Sequence, residues 1–412
     1  MNFLLVNYDY PPNPGIGGRR WAKLTKALAL AGHHIFVIKA DQPAGGNTSP
    51  WTSDTKHPNI HVYEATRAYP KALSHPEKTI VARAQYKFHK WLLTLKQDGT
   101  IYDQSIGWEK NVLSIAKEII SKNTIDVIVA TGAPWNLLVY AARLKEEFPA
   151  CKLLADYRDP WLTALNYGMA GLNSKRKNAE AAKQKFVFEH ADFVTTPYTY
   201  LTRELEIWSR SHCQHQPTFA TIEHFFDVED FTGVAETHAE SECFRLVYAG
   251  DMYIGSEPQW RQFAAIVQSY ESDAASRHQP LQIDLYTSAT VPDFIRSIPR
   301  VTIHRPVGKS IFRIMQEADA LLIVLPDNKK DELTTKFYEY LPLRKPIFMV
   351  ASTGEATRFI ATHRLGIQAT QTALEVTDFF SGNFGKKTFN IHFDLSSHTS
   401  NQRAIEVLTL VK

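Results

Sequence analysis

Short apolar runs alternating with amphipathic segments, arranged in two separate series, constrain the folding of this chain more than any other feature. In the first series Phe3 to Val6 and His34 to Ile38 read as strands, and Trp21 to Ala31 carries apolar residues at helical spacing between them. Asp126 to Ala130 and Lys152 to Ala155 continue the strands; one helix closes near Ile119 and Ile120, and another runs from Trp135 to Phe148. From about Tyr157 to Trp208 the chain turns mostly helical and basic, with Ala191 to Thr196 as one more strand after a helix ending near His190. The polar stretch Gly233 to Glu242 has no apolar period and reads as a linker. The second series has strands at Phe244 to Ala249, Leu281 to Tyr286, Val301 to Ile303, Ala320 to Val324, Pro346 to Val350 and Gly366 to Ala369. Alternating strands and helices imply parallel sheets with right-handed crossovers. Two such series predict two doubly wound α/β domains, with ligands at the carboxyl ends of the strands and in the cleft between the domains.

Composition supports two domains and excludes several classes of function. The 412 residues are 44% hydrophobic, enough for more than one core, since single cores stop growing near ~250–300 residues. Lys and Arg number 46 against 43 Asp and Glu, too balanced for a protein that neutralises many phosphates, so no nucleic-acid partner is expected. Three cysteines, Cys151, Cys213 and Cys243, show no CxxC spacing, which argues against a disulfide framework or zinc site and for a cytoplasmic location. The opening Met1 to Val6 is too short for a signal peptide, and no apolar run approaches the ~18 residues of a membrane span. The run His212 to His215 matches no standard ligand spacing and reads as a surface loop, so no metal is expected.

The loop Pro11-Pro12-Asn13-Pro14-Gly15-Ile16-Gly17-Gly18-Arg19-Arg20 lies between the first strand and the first helix, where helix-start amides face an anion. Gly17 and Gly18 permit close approach, and Arg20 adds charge. The segment lacks the GxGxxG spacing and no P-loop occurs, which demotes a dehydrogenase or kinase. A purely structural turn is the competing reading.

Tyr10-Pro11-Pro12, then Gly15-Ile16-Gly17-Gly18-Arg19-Arg20, with Gly32-His33 opening the second strand, resembles the start of GT-B-fold glycosyltransferases of family four, a retaining group. Asp156-Tyr157-Arg158-Asp159-Pro160-Trp161 is similar to a segment of its bacterial polysaccharide and lipopolysaccharide members. The resemblance continues through Glu189-His190-Ala191-Asp192, Phe226-Asp227 with Asp230-Phe231, Tyr248-Ala249-Gly250 with Tyr253 and Gly255, Ala318-Asp319-Ala320, Lys336 to Leu341, and Lys345-Pro346-Ile347. It implies two Rossmann-like domains facing across a cleft: residues 1–232 on the acceptor side, joined by a C-terminal helix at about 398–412, and residues 233–397 binding the donor. It also implies a retaining transfer on the face of the leaving phosphate without an enzyme nucleophile. The co-substrate would be a nucleotide diphosphate sugar, with no other cofactor.

Thr334 and Thr335 open a helix after an apolar strand, an anion-receptive start at which Lys336 adds a compact positive charge. By the resemblance Glu339 is the second Glu of an E-x7-E motif and meets the ribose hydroxyls. The partner position holds Asp331, with Glu332 one residue out of phase, so which carboxylate meets the transferred sugar stays open. Gly250 and Tyr253 belong to the same donor site. Family members place Arg and Lys shortly after that glycine, whereas Asp251 to Ser256 contains neither, leaving Lys336, Arg20, Arg261 or helix dipoles to meet the diphosphate. A solvated charged loop capping an ordinary helix is the alternative.

On the acceptor side Thr131 to Trp135 and Asp156 to Trp161 follow strands at their carboxyl ends. Asp159 or Asp156 orients the acceptor hydroxyl and Arg158 offers a fork of donors; an internal Asp–Arg pair with Trp161 as packing weighs equally. Lys78 to Lys96 interleaves Lys78, Arg83, Lys87, Lys90 and Lys96 with Ile80, Val81, Tyr86, Phe88, Trp91, Leu92, Leu93 and Leu95. This suits peripheral attachment to the anionic inner face of the cytoplasmic membrane, or equally a helix with its apolar side on the core. The basic run Lys175 to Lys185 is by default a solvated face. The expected activity is transfer of a sugar to a glycan or lipid-linked acceptor hydroxyl in cell-surface polysaccharide synthesis. The alternatives are a catalytically weak nucleotide-sugar-binding partner of another transferase and a GT-B-fold nucleotide-sugar epimerase.

Overall fold

The computed structural model describes residues 1–42, 48–74, 79–165, 167–234, 242–272, 280–369, 373–384 and 388–412. The chain forms two compact units, Met1–Glu223 together with Ser400–Lys412, and His224–Thr399. The expected linker Gly233 to Glu242 lies largely outside the described residues, and the division falls ahead of it.

The first unit holds a seven-stranded parallel sheet of β1 (Asn2–Val6), β2 (His34–Ala40), β3 (Ile60–Ala65), β4 (Val127–Gly132), β5 (Lys152–Tyr157), β6 (Phe193–Thr196) and β7 (Thr218–Thr221). Their order is β3-β2-β1-β4-β5-β6-β7. β4 is buried along its whole length because helices cover both faces of the sheet, which is why its sequence reads as an unbroken apolar run. β3 and β7 were not expected. Both lie at sheet edges, where a strand has one neighbour and a half-exposed face; the middle of β3 is exposed and β7 has no fully buried residue. The C-terminal helix Ser400–Val411 returns to this unit: Arg403 pairs with Glu223 at 2.7 Å, and Lys152 donates to the Val411 carbonyl at 2.8 Å.

The second unit holds β8 (Phe244–Ala249), β9 (Leu281–Tyr286), β10 (Val301–His304), β11 (Ala320–Val324), β12 (Ile347–Val350) and β13 (Gly366–Gln368), all parallel, in the order β10-β9-β8-β11-β12-β13. Successive residues point to opposite faces and both faces are apolar. Leu246, Tyr248, Leu322 and Phe348 build one core, and Val247, Leu321, Ile323 and Met349 build the other. In each sheet the chain runs from the central strand to one side and then returns to build the other. This doubly wound order opens a crevice beyond the carboxyl ends of β1 and β4 in one unit and of β8 and β11 in the other.

Candidate functional site

In the second unit the crevice is built by the loops after β8 and β11. Gly250 follows β8 with φ 112°, and a Cβ there would lie 2.6 Å from Cε of Lys336. The backbone therefore passes directly over the lysine. Lys336 sits on the short helix Thr335–Tyr340, which is pinned from its far end: the Ala249 amide donates to the Tyr340 hydroxyl at 3.1 Å, and that hydroxyl donates to the Leu322 carbonyl at 3.4 Å. Two strand ends thus fix the lysine's position.

The amine of Lys336 donates to the Tyr248 hydroxyl at 2.5 Å and to the Asp251 carbonyl at 2.8 Å. It lies 4.2 Å from the centre of the Tyr248 ring and 4.7 Å from that of Tyr253. Among the described residues no carboxylate comes within ion-pair distance, so a buried cation is held by aromatic faces and neutral oxygens. Burial pushes its pKa down to about 7, and the more distant Asp251 and Glu339 offset this only in part. Burial likewise raises Tyr253 to about 12. Thr335 and Glu339 are half-buried on the same helix, whose first amides have no intrahelical partner.

Three of the expected donor residues are otherwise engaged. Asp331 accepts the Glu355 amide at 2.9 Å and lies 3.7 Å from Arg358, so it caps the helix Glu355–Thr362. Buried Glu332 pairs with Lys329 at 2.5 Å. In the first unit Arg20 is only 4% exposed: it pairs with Asp156 and donates to the Ile222 carbonyl at 2.6 Å. Its guanidinium is held inside the first unit. Arg261 is an exposed partner of Glu257 on the helix Glu257–Ser272.

Asp156 is fully buried and also accepts from Trp21, Thr131 and Thr195 at 2.7, 2.9 and 2.9 Å, so it is a structural hub and cannot meet an acceptor. Trp161 is packing, stacked on Trp135 at 5.6 Å, with its indole N–H donated to Glu180. Arg158 spends three of its five donors on the carbonyls of Gly17, Gly132 and Ala133, and so ties three loops together. Asp159 is half-buried beside it. The ring nitrogens of His212 and His215 meet backbone carbonyls. Among the described residues no group of three or more metal-ligating side chains is placed to hold an ion.

The sequence reading missed Asp9, in the turn that follows β1. A Cβ on Gly17 would lie 2.9 Å from the Asp9 carboxylate and 2.7 Å from the Arg158 guanidinium, so the glycine leaves room for these two side-chain ends to approach. Burial holds the Asp9 carboxyl above its usual range, while Arg158 and Arg67 pull it back. Asp9, Arg67, Pro14, Gln104, Pro134 and Tyr167 line a cavity of about 230 Å³. It shares Gln104 and Tyr167 with a neighbouring cavity of about 360 Å³ that adds Tyr69, Leu73 and Tyr102. The available signal was position alone: an acidic residue at the carboxyl end of the central strand.

No family model matches the chain, and no curated protein does. Solved structures do. A glycosyltransferase from Rickettsia africae matches with a TM-score of 0.58 at 12% identity, covering 100% of this chain and 98% of that one. The N-terminal domain of Candida albicans trehalose-6-phosphate phosphatase matches at 0.65 and 13%, covering 100% and 96%. Phytolacca americana UGT2, complexed with UDP-2fluoro-glucose and pterostilbene, matches at 0.53 and 8%, covering 99% and 98%. The chain has the GT-B fold. Within this GT-B chain the two switch-point crevices carry different chemistry: a caged lysine in the second unit, a buried carboxylate between two arginines in the first.

Substitution of Gly250 by alanine is expected to strain a positive-φ position and press a methyl group onto Lys336. A stability loss of about 1–3 kcal/mol in denaturant unfolding is expected, together with weaker nucleotide binding.

Proposed function

We propose that this protein transfers a sugar from a nucleotide diphosphate sugar to an acceptor hydroxyl, with the donor in the second domain and the acceptor in the first. The observation that carries the reading is Lys336, a buried ammonium that no carboxylate among the described residues reaches, at the switch point of a Rossmann-like domain. A cation caged in this way is desolvated in advance and gains most from an arriving diphosphate. Gly250 lets the phosphates approach closely, the start of the helix Thr335–Tyr340 adds amides, and Glu339 accepts the ribose hydroxyls. UGT2 holding a UDP-sugar analogue on the same fold supports a nucleotide sugar as donor.

In the finer reading, the enzyme resembles family four and retains configuration. The bond from the anomeric carbon to the diphosphate breaks, a bond to the acceptor oxygen forms on the same face, and the acceptor's proton passes to the leaving phosphate. Lys336 meets the charge that develops there. Asp9 and Asp159 orient the acceptor, a glycan or lipid-linked hydroxyl of cell-surface polysaccharide synthesis, and Arg158 positions them.

One observation favours the second reading, a nucleotide-sugar-binding partner with little turnover. Asp331, at the first position of the motif, is spent on a helix cap. A thermal-shift panel of nucleotide diphosphates and their sugars tests donor binding. One nucleotide at ~100 times its dissociation constant should stabilise the protein by about 2.7 kcal/mol, and Glu339→Ala should lose that response. Turnover of the stabilising nucleotide sugar then separates transferase from binder. A panel in which nothing binds removes the donor site.

A further inference from the structure

The helix Ile80–Lys96 carries its apolar residues on the wrong side for a core. Leu93 and Tyr86 face the domain, in a small cluster with Leu73, Ile101, Ile106, Tyr69 and Tyr102. The outward face displays Ile80, Ala84, Phe88, Trp91 and Leu95, with Val81 beside them. These positions fall within an arc of about 100° on a helix of 3.6 residues per turn. The five large residues of this arc are between 56% and 86% exposed, and Phe88 and Trp91 lie 6.2 Å apart, centre to centre. Arg83, Lys87 and Lys90 run along one flank of the stripe, Lys96 lies on the other, and the helix contains no Asp or Glu.

We propose that this face docks on an anionic lipid bilayer, with Ile80, Phe88, Trp91 and Leu95 entering the headgroup boundary and Arg83 and Lys87 meeting lipid phosphates. The helix lies along the surface: at 17 residues it extends about 25 Å, and no helix among the described residues is long and apolar enough to cross a membrane. Charge decides the occupant. A second copy meeting this face would oppose one cationic flank to another with no carboxylate on either helix, whereas an anionic surface satisfies stripe and flanks together.

Behind the helix, Lys90 lies over the Tyr102 ring at 6.0 Å, and Tyr102 lines the cavity that adjoins the Asp9 site. A hydroxyl carried on a membrane lipid would therefore arrive beside the carboxylate proposed to orient it. That consequence rests on the transferase reading; the docking does not.

Vesicle co-flotation without nucleotide tests the docking. The full chain is expected to float with vesicles containing phosphatidylglycerol and to stay down with phosphatidylcholine alone. Phe88→Glu/Trp91→Glu should abolish flotation, and Arg83→Glu/Lys87→Glu should lower partitioning at least tenfold. Unchanged melting curves will show that both variants fold, since every changed side chain is exposed. Equal flotation of wild type and the apolar variant overturns the proposal. So does absence of flotation, or a dimer in solution that Phe88→Glu/Trp91→Glu disrupts. The nucleotide melting shift, read without lipid, separates failure of docking from failure of the donor site.

Discussion

Lys336→Met is expected to abolish stabilisation by nucleotide diphosphates and to lower turnover by about 10²–10³-fold, the usual cost of removing one preorganised donor to a developing negative charge. The same change should not weaken the fold, because methionine keeps an unbranched apolar stem beside the Tyr248 and Tyr253 rings and removes a buried cation. Folding lowers the lysine's pKa from 10.5 to about 7, so between those values the unfolded chain binds more protons and wild-type stability rises with pH. Below about pH 7 the wild type bears the full cost of a buried charge. Any advantage of Lys336→Met is therefore largest there and closes as pH rises toward 10.5. For the ligand the sign is opposite. A diphosphate needs the protonated amine, so affinity should fall roughly tenfold per pH unit above 7 until the liganded pKa is passed. Melting curves from pH 6 to 10, with and without nucleotide, read both effects. A retained nucleotide response, or a stability gap that ignores pH, would falsify this role for Lys336.

Asp156→Ala is expected to give the largest loss of stability, about 3–5 kcal/mol, because it removes a fully buried carboxylate that pairs with Arg20 and accepts from Trp21, Thr131 and Thr195. Every tryptophan except Trp260 lies in the first domain, so tryptophan fluorescence during urea unfolding follows this domain selectively. A single substitution that unfolds within about 1 kcal/mol of wild type would show that the network is dispensable.

The two crevices differ in how far they could be read from the chain. Lys336, Glu339 and Gly250 stand at a strand end or helix start that local periodicity marks, and the structure brings them together around one crevice. Arg20, Asp331 and Asp156 looked equally functional, yet Arg20 and Asp156 lie far apart in sequence and turn each other inward, and Asp331 is taken by the Glu355 amide. Asp9 was overlooked for the converse reason: nothing local distinguishes it, and only Gly17 and Arg158 arriving from elsewhere enclose it.

The sequence by itself determined the two α/β series, because strands covered on both faces must be apolar throughout, and it placed β8, β9 and β11 at their observed bounds. Edge strands β3 and β7 escaped it, since half-exposed pairing demands no such run. Tertiary structure alone decided which charged side chains are spent on the interior, that the Lys336 amine lies beneath Gly250, and that the apolar stripe of Ile80–Lys96 faces out. Periodicity reports that a helix has an apolar side. Which way that side points depends on what the rest of the chain packs against it.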